Sequence, residues 1–316
     1  MELYPLLMSP SFRHGPATPW GGHALKEKYG KDAPEDITGE CLEISALPGC
    51  ESCVSNGEHL GKTLSDVFSL WGSRLTGKNE KSFPLLLKLL DARQPLSVQV
   101  HPDDAYALPH EGKPGKSEAW YILDAVPGAK LVCGLDVHGM EPRSVLQPGK
   151  LEKCLRWISV RPGDVIYIPA GTVHALGPGI QCYEIQQSSD VTYRLWDWGR
   201  TGPDGRPREL HVRQALDVIS PGMLPGPVRK KAGRYAGGTT ALLVDDPHFQ
   251  LSSVDLDGSF PLPSGRMLFL TPFSTCTVCW NGHSQQVAAF RSVLIPARLS
   301  GVTVTGSGRM LMARAM

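Results

Sequence analysis

The chain has 316 residues, with 32 Lys+Arg against 31 Asp+Glu and a formal charge of +1 at pH 7. That balance lacks the basic excess on which non-specific binding to nucleic acid or to an anionic membrane depends. Apolar residues make up 41% and charged residues 20%, the mix of a folded globular protein, while 34 Gly and 27 Pro spread without a period exclude collagen and favour a turn-rich β protein. Residues 1–11 carry neither a basic leader nor a long apolar run. No apolar stretch nears the roughly 20 residues of a membrane span, so the expected location is the cytoplasm.

In chain order, the first strong pattern is an amphipathic helix over 61–77. Leu64, Val67, Phe68, Trp71 and Leu75 recur there at three- and four-residue steps, with Thr63 as N-cap. Short apolar or alternating runs then predict strands at 83–90, 96–101, 118–123, 164–169, 181–187 and 193–198. Two further helices are expected near 151–157 and 208–219. After the Pro/Gly/Lys-rich stretch Pro221–Gly233, strands alone follow, at 240–244, 249–254, 266–271, 275–280, 287–290, 292–295 and 301–305. The expected organisation is a mainly β protein in two parts. Residues 1–230 would form a jelly-roll barrel with a few added helices, and residues 231–316 a second, smaller, degenerate β barrel.

Eight cysteines include two CxxC pairs, Cys50/Cys53 and Cys276/Cys279, the spacing of a four-thiolate zinc site. The second pair lies on an expected strand, where residues three apart face opposite ways, so reduced and mostly buried thiols are the preferred reading.

Two segments carry chemistry. In Leu96-Ser-Val-Gln-Val-His-Pro-Asp-Asp104, Ser97, Gln99 and His101 share one face of a strand, an arrangement costly in a dry core and sensible around a metal or a wet cavity. Seventeen residues later Glu118 opens the next strand. The segment from Gly163 to His174 fits G-x5-P-x-G-x2-H, the second motif of cupin barrels, with Gln99-x-His101 where the usual first motif has a pair of histidines. Gln99, His101, Glu118 and His174 would make a nitrogen and oxygen ligand set with room for water or substrate, as in a catalytic zinc site. The plainer alternative makes Gln99 and His101 a hydrogen-bonded pair and His174 a satisfied loop residue.

Together these residues resemble the type I phosphomannose isomerases in their short form. The resemblance covers most of residues 1–220 and rests on Thr18-Pro-Trp-Gly-Gly22, Gly39-Glu40, Leu42-Glu-Ile-Ser45, Phe83-Pro-Leu-Leu-Leu-Lys88, the Gln-x-His-Pro-Asp block and the run from Glu184 to Trp198. Only 55 residues separate Glu118 from His174, too few for the helical insertion of longer members. Cys41, where many relatives have Ser, is a departure away from the metal residues. The resemblance implies a cupin fold with one Zn2+ per chain on Gln99, His101, Glu118 and His174. It also implies interconversion of mannose 6-phosphate and fructose 6-phosphate through an enediol, Arg194 and Glu184 in the substrate cleft, and Lys116, Ser97 and Lys88 nearby.

On that reading Arg194 stabilises the developing oxyanion and Glu184 is the candidate base, with Lys116 also in a catalytic role. Lys116, Ser97 and Lys88 anchor the phosphate. Alternatives remain: Arg194 as a surface ion pair with Asp190 or Asp197, Glu184 as the partner orienting a ligand histidine, Lys88 as a solvated edge lysine. The partner is a sugar phosphate, with no nucleic acid or membrane, and the chain is a monomer or weak homodimer. The rival functions are a non-catalytic sugar-phosphate-binding cupin and an iron cupin oxygenase.

Overall fold

The computed structural model describes residues 2–146, 149–202, 205–228, 231–235 and 237–316. They fall into two compact units, one drawn from residues 1–11, 42–88 and 229–316, the other from 12–41 and 89–228. The second unit ends at residue 228, inside the Pro221–Gly233 stretch, of which residues 229–230 lie outside those described. The strands that follow combine with two segments from the first part of the chain. The cause is long-range pairing with no local signal: Leu6–Ser9 lies between Val293–Ile295 and Cys53–Val54 in one sheet.

That unit is built on a ten-stranded sheet. Its spine is the antiparallel pair Phe249–Pro261 and Thr303–Ala315, in register over all 13 residues. The sequence pattern ends the last strand at 305, because Gly306 and Gly308 interrupt it; pairing with the neighbouring strand carries it on to Ala315. The strand expected at 287–290 instead runs His283–Val287, closing a hairpin on Cys276–Trp280 through Asn281 and Gly282 (φ 45° and 78°). Both residues hold the left-handed conformation that a two-residue turn demands. The helix expected over 61–77 is Leu64–Trp71, with a reciprocal Thr63–Asp66 capping box, and Gly72 at φ 48° separates it from a short turn of helix, Ser73–Thr76.

Two sheets carry strands of the second unit. Val165–Ile168, Glu118–Ala125 and Ile180–Gln187, all within that unit, lie side by side in one. The other runs Tyr193–Trp196, Val98–Val100, His174–Ala175, Lys130–Leu135, Leu155–Ser159. Leu151–Cys154 is helical, but the rest of the helix expected to 157 is strand, because Leu155–Ser159 finds a partner in Lys130–Leu135. The third expected helix is Val212–Val218. Trp120, Ile122, Ile166, Ile168, Leu131, Leu176 and Cys182 pack between the sheets. Val98, Val100, Val132, Ala175, Tyr193 and Leu195 pack on the outer side of the second sheet, with Ala215 and Tyr106. Each such fully buried aliphatic side chain contributes about 1.5–3 kcal/mol. Alternation along Val98-Gln99-Val100 therefore sends two valines out to that core and Gln99 inward. Among the described residues no helix is long and apolar enough to cross a membrane.

Candidate metal centre

Cross-strand pairing assembles one wall of the site. Arg194 pairs with Gln99, Gln99 with His174, and His174 with Cys133, so guanidinium, amide, imidazole and thiol form a row on one face of the second sheet. The opposite wall comes from the paired strands Glu118–Ala125 and Ile180–Gln187, where Glu118 faces Gln186 and Trp120 faces Glu184. The loop carrying His174 is the tight one the motif predicts: Gly163 (φ 89°) enters the strand and Gly171 (φ 86°) turns out of it, pressed so closely on Val218 and Ser220 that a Cβ would collide.

His101, Glu118 and His174 converge with ligand atoms within 4.8 Å of one another, the one cluster of His, Cys, Asp and Glu among the described residues close enough to hold an ion. All three are at most 1% exposed. His101 Nδ1 donates to the Val191 carbonyl and His174 Nδ1 to the Thr172 carbonyl, both at 2.9 Å. Those bonds fix the tautomer, so each Nε2 presents a lone pair. The two Nε2 atoms lie 3.5 and 3.2 Å from the Glu118 carboxylate, and Gln99 Nε2 lies 3.2 Å from His174 Nε2.

Electron-rich atoms do not gather in a dry interior without a cation. The positive charge present is Lys116, whose Nζ is 2.9 Å from both Glu118 Oε2 and His101 Nε2. Burial alone would raise the Glu118 carboxyl, but the Lys116 ammonium holds it well below the usual carboxylate range. Burial and then Lys116 push His101 down to about 3, and burial lowers His174, so both rings are neutral, as metal ligands must be. Burial pushes the Cys133 thiol up to about 12, which keeps it protonated and out of the ligand set. The donor set fits a divalent ion.

Of the other residues singled out from sequence, Glu184 is buried and accepts a 2.8 Å bond from the Trp120 indole N–H. Ser97 Oγ lies 3.4 Å from Gln99 Oε1. Arg194 is no surface ion pair: Asp190 pairs with Lys113 and Asp197 with Arg200 and Arg208, while Arg194 donates to the Glu209 carbonyl at 2.8 Å. Its Nε is buried with no acceptor. Lys88 is buried in the strand Leu85–Ala92, where a solvated edge lysine was the plainer expectation. The thiols show no four-cysteine cluster among the described residues, and none of the eight is in a disulfide. Sequence reasoning missed Trp120 and the Thr172 and Val191 carbonyls. The carbonyls have no residue signature, but Trp120 was within reach, two positions after Glu118 on the same face of its strand.

A family model, phosphomannose isomerase type I, catalytic domain, matches residues 15–118. Mannose-6-phosphate isomerase of Streptococcus mutans is 41% identical over 76% of each chain. Mannose-6-phosphate isomerase ManA of Bacillus subtilis is 38% identical over 85% of each. This chain belongs to the type I phosphomannose isomerase family. The crystal structure of the mannose 6-phosphate isomerase from Bacillus subtilis superposes with a TM-score of 0.91 at 32% identity, covering 98% of this chain and 99% of that one. The family fold is a cupin, and the mainly β architecture with curled sheets found here is that fold. Between Glu118 and His174 the described residues hold only two four-residue helices, Pro142–Val145 and Leu151–Cys154, and no inserted helical domain.

Proposed function

We propose that this chain is a zinc-dependent aldose–ketose isomerase that interconverts mannose 6-phosphate and fructose 6-phosphate. Gln99, His101, Glu118 and His174 would hold the ion, the Gln99 amide turning its oxygen inward to do so. The observation that carries this reading is the buried Glu118 carboxylate facing two imidazole lone pairs, a donor set that suits a divalent ion and of which the Lys116 ammonium reaches only Glu118 and His101. When bound, zinc supplies Lewis-acid polarisation of sugar oxygens, worth several kcal/mol at the barrier.

The remaining work belongs to side chains. Moving a proton between C1 and C2 through an enediol needs a base, and Glu184 is the buried carboxylate on the wall opposite Gln99 and His174. Arg194 offers a fixed cation beside Gln99 for the developing oxyanion; burial, then Arg208, lowers its pKa, but a guanidinium stays charged. Lys116 lies against the ligand atoms, and this nearness supports a catalytic role for it beside the binding one. Ser97 and Lys88, with Lys116, are the groups proposed to anchor the phosphate.

The test is a coupled assay following fructose 6-phosphate to mannose 6-phosphate, with metal analysis of the same sample. Turnover that is lost with chelator and restored by zinc is expected. No turnover from a folded, zinc-loaded sample, or bound iron with oxygen uptake, would overturn the reading.

A further inference from the structure

Trp120 stands at a boundary inside the second unit. Along the inward faces of the strands Glu118–Ala125 and Ile180–Gln187, the apolar core that includes Ile122 and Cys182 gives way to the polar pair Glu118 and Gln186, and the change falls on the cross-strand pair Trp120 and Glu184. The indole is 1% exposed and Glu184 3% exposed. The indole has one polar atom, Nε1, and donates it to Glu184 Oε1 at 2.8 Å. The same ring stands edge-on to His174, 5.6 Å between centroids and 77° between planes. One rigid side chain thus fixes the carboxylate of the proposed base and packs on a proposed metal ligand.

We infer that Trp120 is a positioning residue that sets the orientation of the Glu184 carboxylate through its indole N–H. A carboxylate on two rotatable bonds sweeps several directions. Tying Oε1 down leaves Oε2 as the atom that addresses the substrate, and it selects one rotamer before the sugar arrives. Alignment of this kind is the part of catalysis that a shift of about 1 Å can cost a hundredfold.

This inference rests on Glu184 acting as base, and Glu184→Gln tests that premise separately: a full rate in that variant sinks the base assignment whatever Trp120 does. The test of the inference is Trp120→Phe, which keeps most of the apolar bulk and removes the N–H. kcat should fall about 10- to 100-fold while KM for fructose 6-phosphate and bound zinc stay within about twofold of the parent, the scale on which groups orienting a functional side chain act. In the Glu184→Gln background the same change should cost less than about threefold, because the group it orients is already disabled. An equal loss in both backgrounds, an unchanged kcat, or loss of zinc would overturn the inference. If the Phe variant does not fold, hydrogen exchange at the Trp120 indole N–H decides with the tryptophan in place. It should be slow in the parent and faster in Glu184→Leu, which removes the acceptor, and equal rates in the two would refute the proposal.

Discussion

Arg194 and Gln99 are neighbours across two strands, yet the reading gives them different tasks, and substitution separates the two. On that reading Gln99 would turn its amide oxygen to the ion, whereas Arg194 offers no ligand atom and donates to the Glu209 carbonyl. Gln99→Ala and His174→Ala should therefore lose bound zinc along with turnover. Arg194→Ala should retain zinc and lose about 100- to 1,000-fold in kcat, the range seen when one donor to a developing oxyanion is removed. Metal content and steady-state kinetics on the same preparations check this, and an Arg194→Ala enzyme with the parent rate would end its assigned role. The buried Nε of Arg194, with no protein acceptor, is the structural reason to expect an effect larger than loss of a surface charge.

At the scale of elements, the segment after the strand Tyr193–Trp196 is clasped by one carboxylate. Asp197 binds Arg208 at 2.6 and 2.7 Å and also Arg200, and is 5% exposed. Burial alone would raise its pKa, but the bonds from Arg208 and Arg200 outweigh that and lower it. A folded-state value below the unfolded one, near 3.9, means the clasp stabilises fully above about pH 4 and fades as pH falls through the lowered value. Asp197→Asn should cost about 2–3 kcal/mol at pH 7 and less at pH 3, measured by urea unfolding at both; an equal cost at the two pH values would show that charge is not what the clasp supplies. Such clasps also mark how far the sequence could be read. Alternation predicted the strands that carry Gln99, Glu118, Glu184 and Arg194, because each has one face on a core and one on the site. It did not predict Thr38–Ile44, whose burial on nearly every position erases the period, nor the helix Asp104–Glu111, where Pro109 argues against a helix that the Asp103 cap and its place against the outer core sustain. The ligand set was readable because metal chemistry is written in residue types. The Trp120–Glu184 bond and the carbonyls behind each histidine arise from register, which only the fold decides.

For the molecule as a whole, the proposed ion ties together strands from both sheets of the second unit: 98–100 and 174–175 in one, 118–125 in the other, with His101 just beyond the first of these. The unfolded chain does not hold these groups together, so binding energy becomes folding energy. With free zinc at about 100 times Kd the linkage contributes about 2.7 kcal/mol. A domain of about 150–250 residues shifts by about 2–4 °C per kcal/mol, so chelation should lower Tm by about 5–10 °C. His174→Ala should start from the lower Tm and show no further fall with chelator, since it cannot bind the ion. Reductant supplies the control: none of the eight cysteines is in a disulfide, so it should leave Tm unchanged in both proteins. A parent protein that gives up its zinc to chelator without losing thermal stability would mean that Lys116 and the surrounding core already balance the Glu118 charge, and that the ion serves the reaction alone.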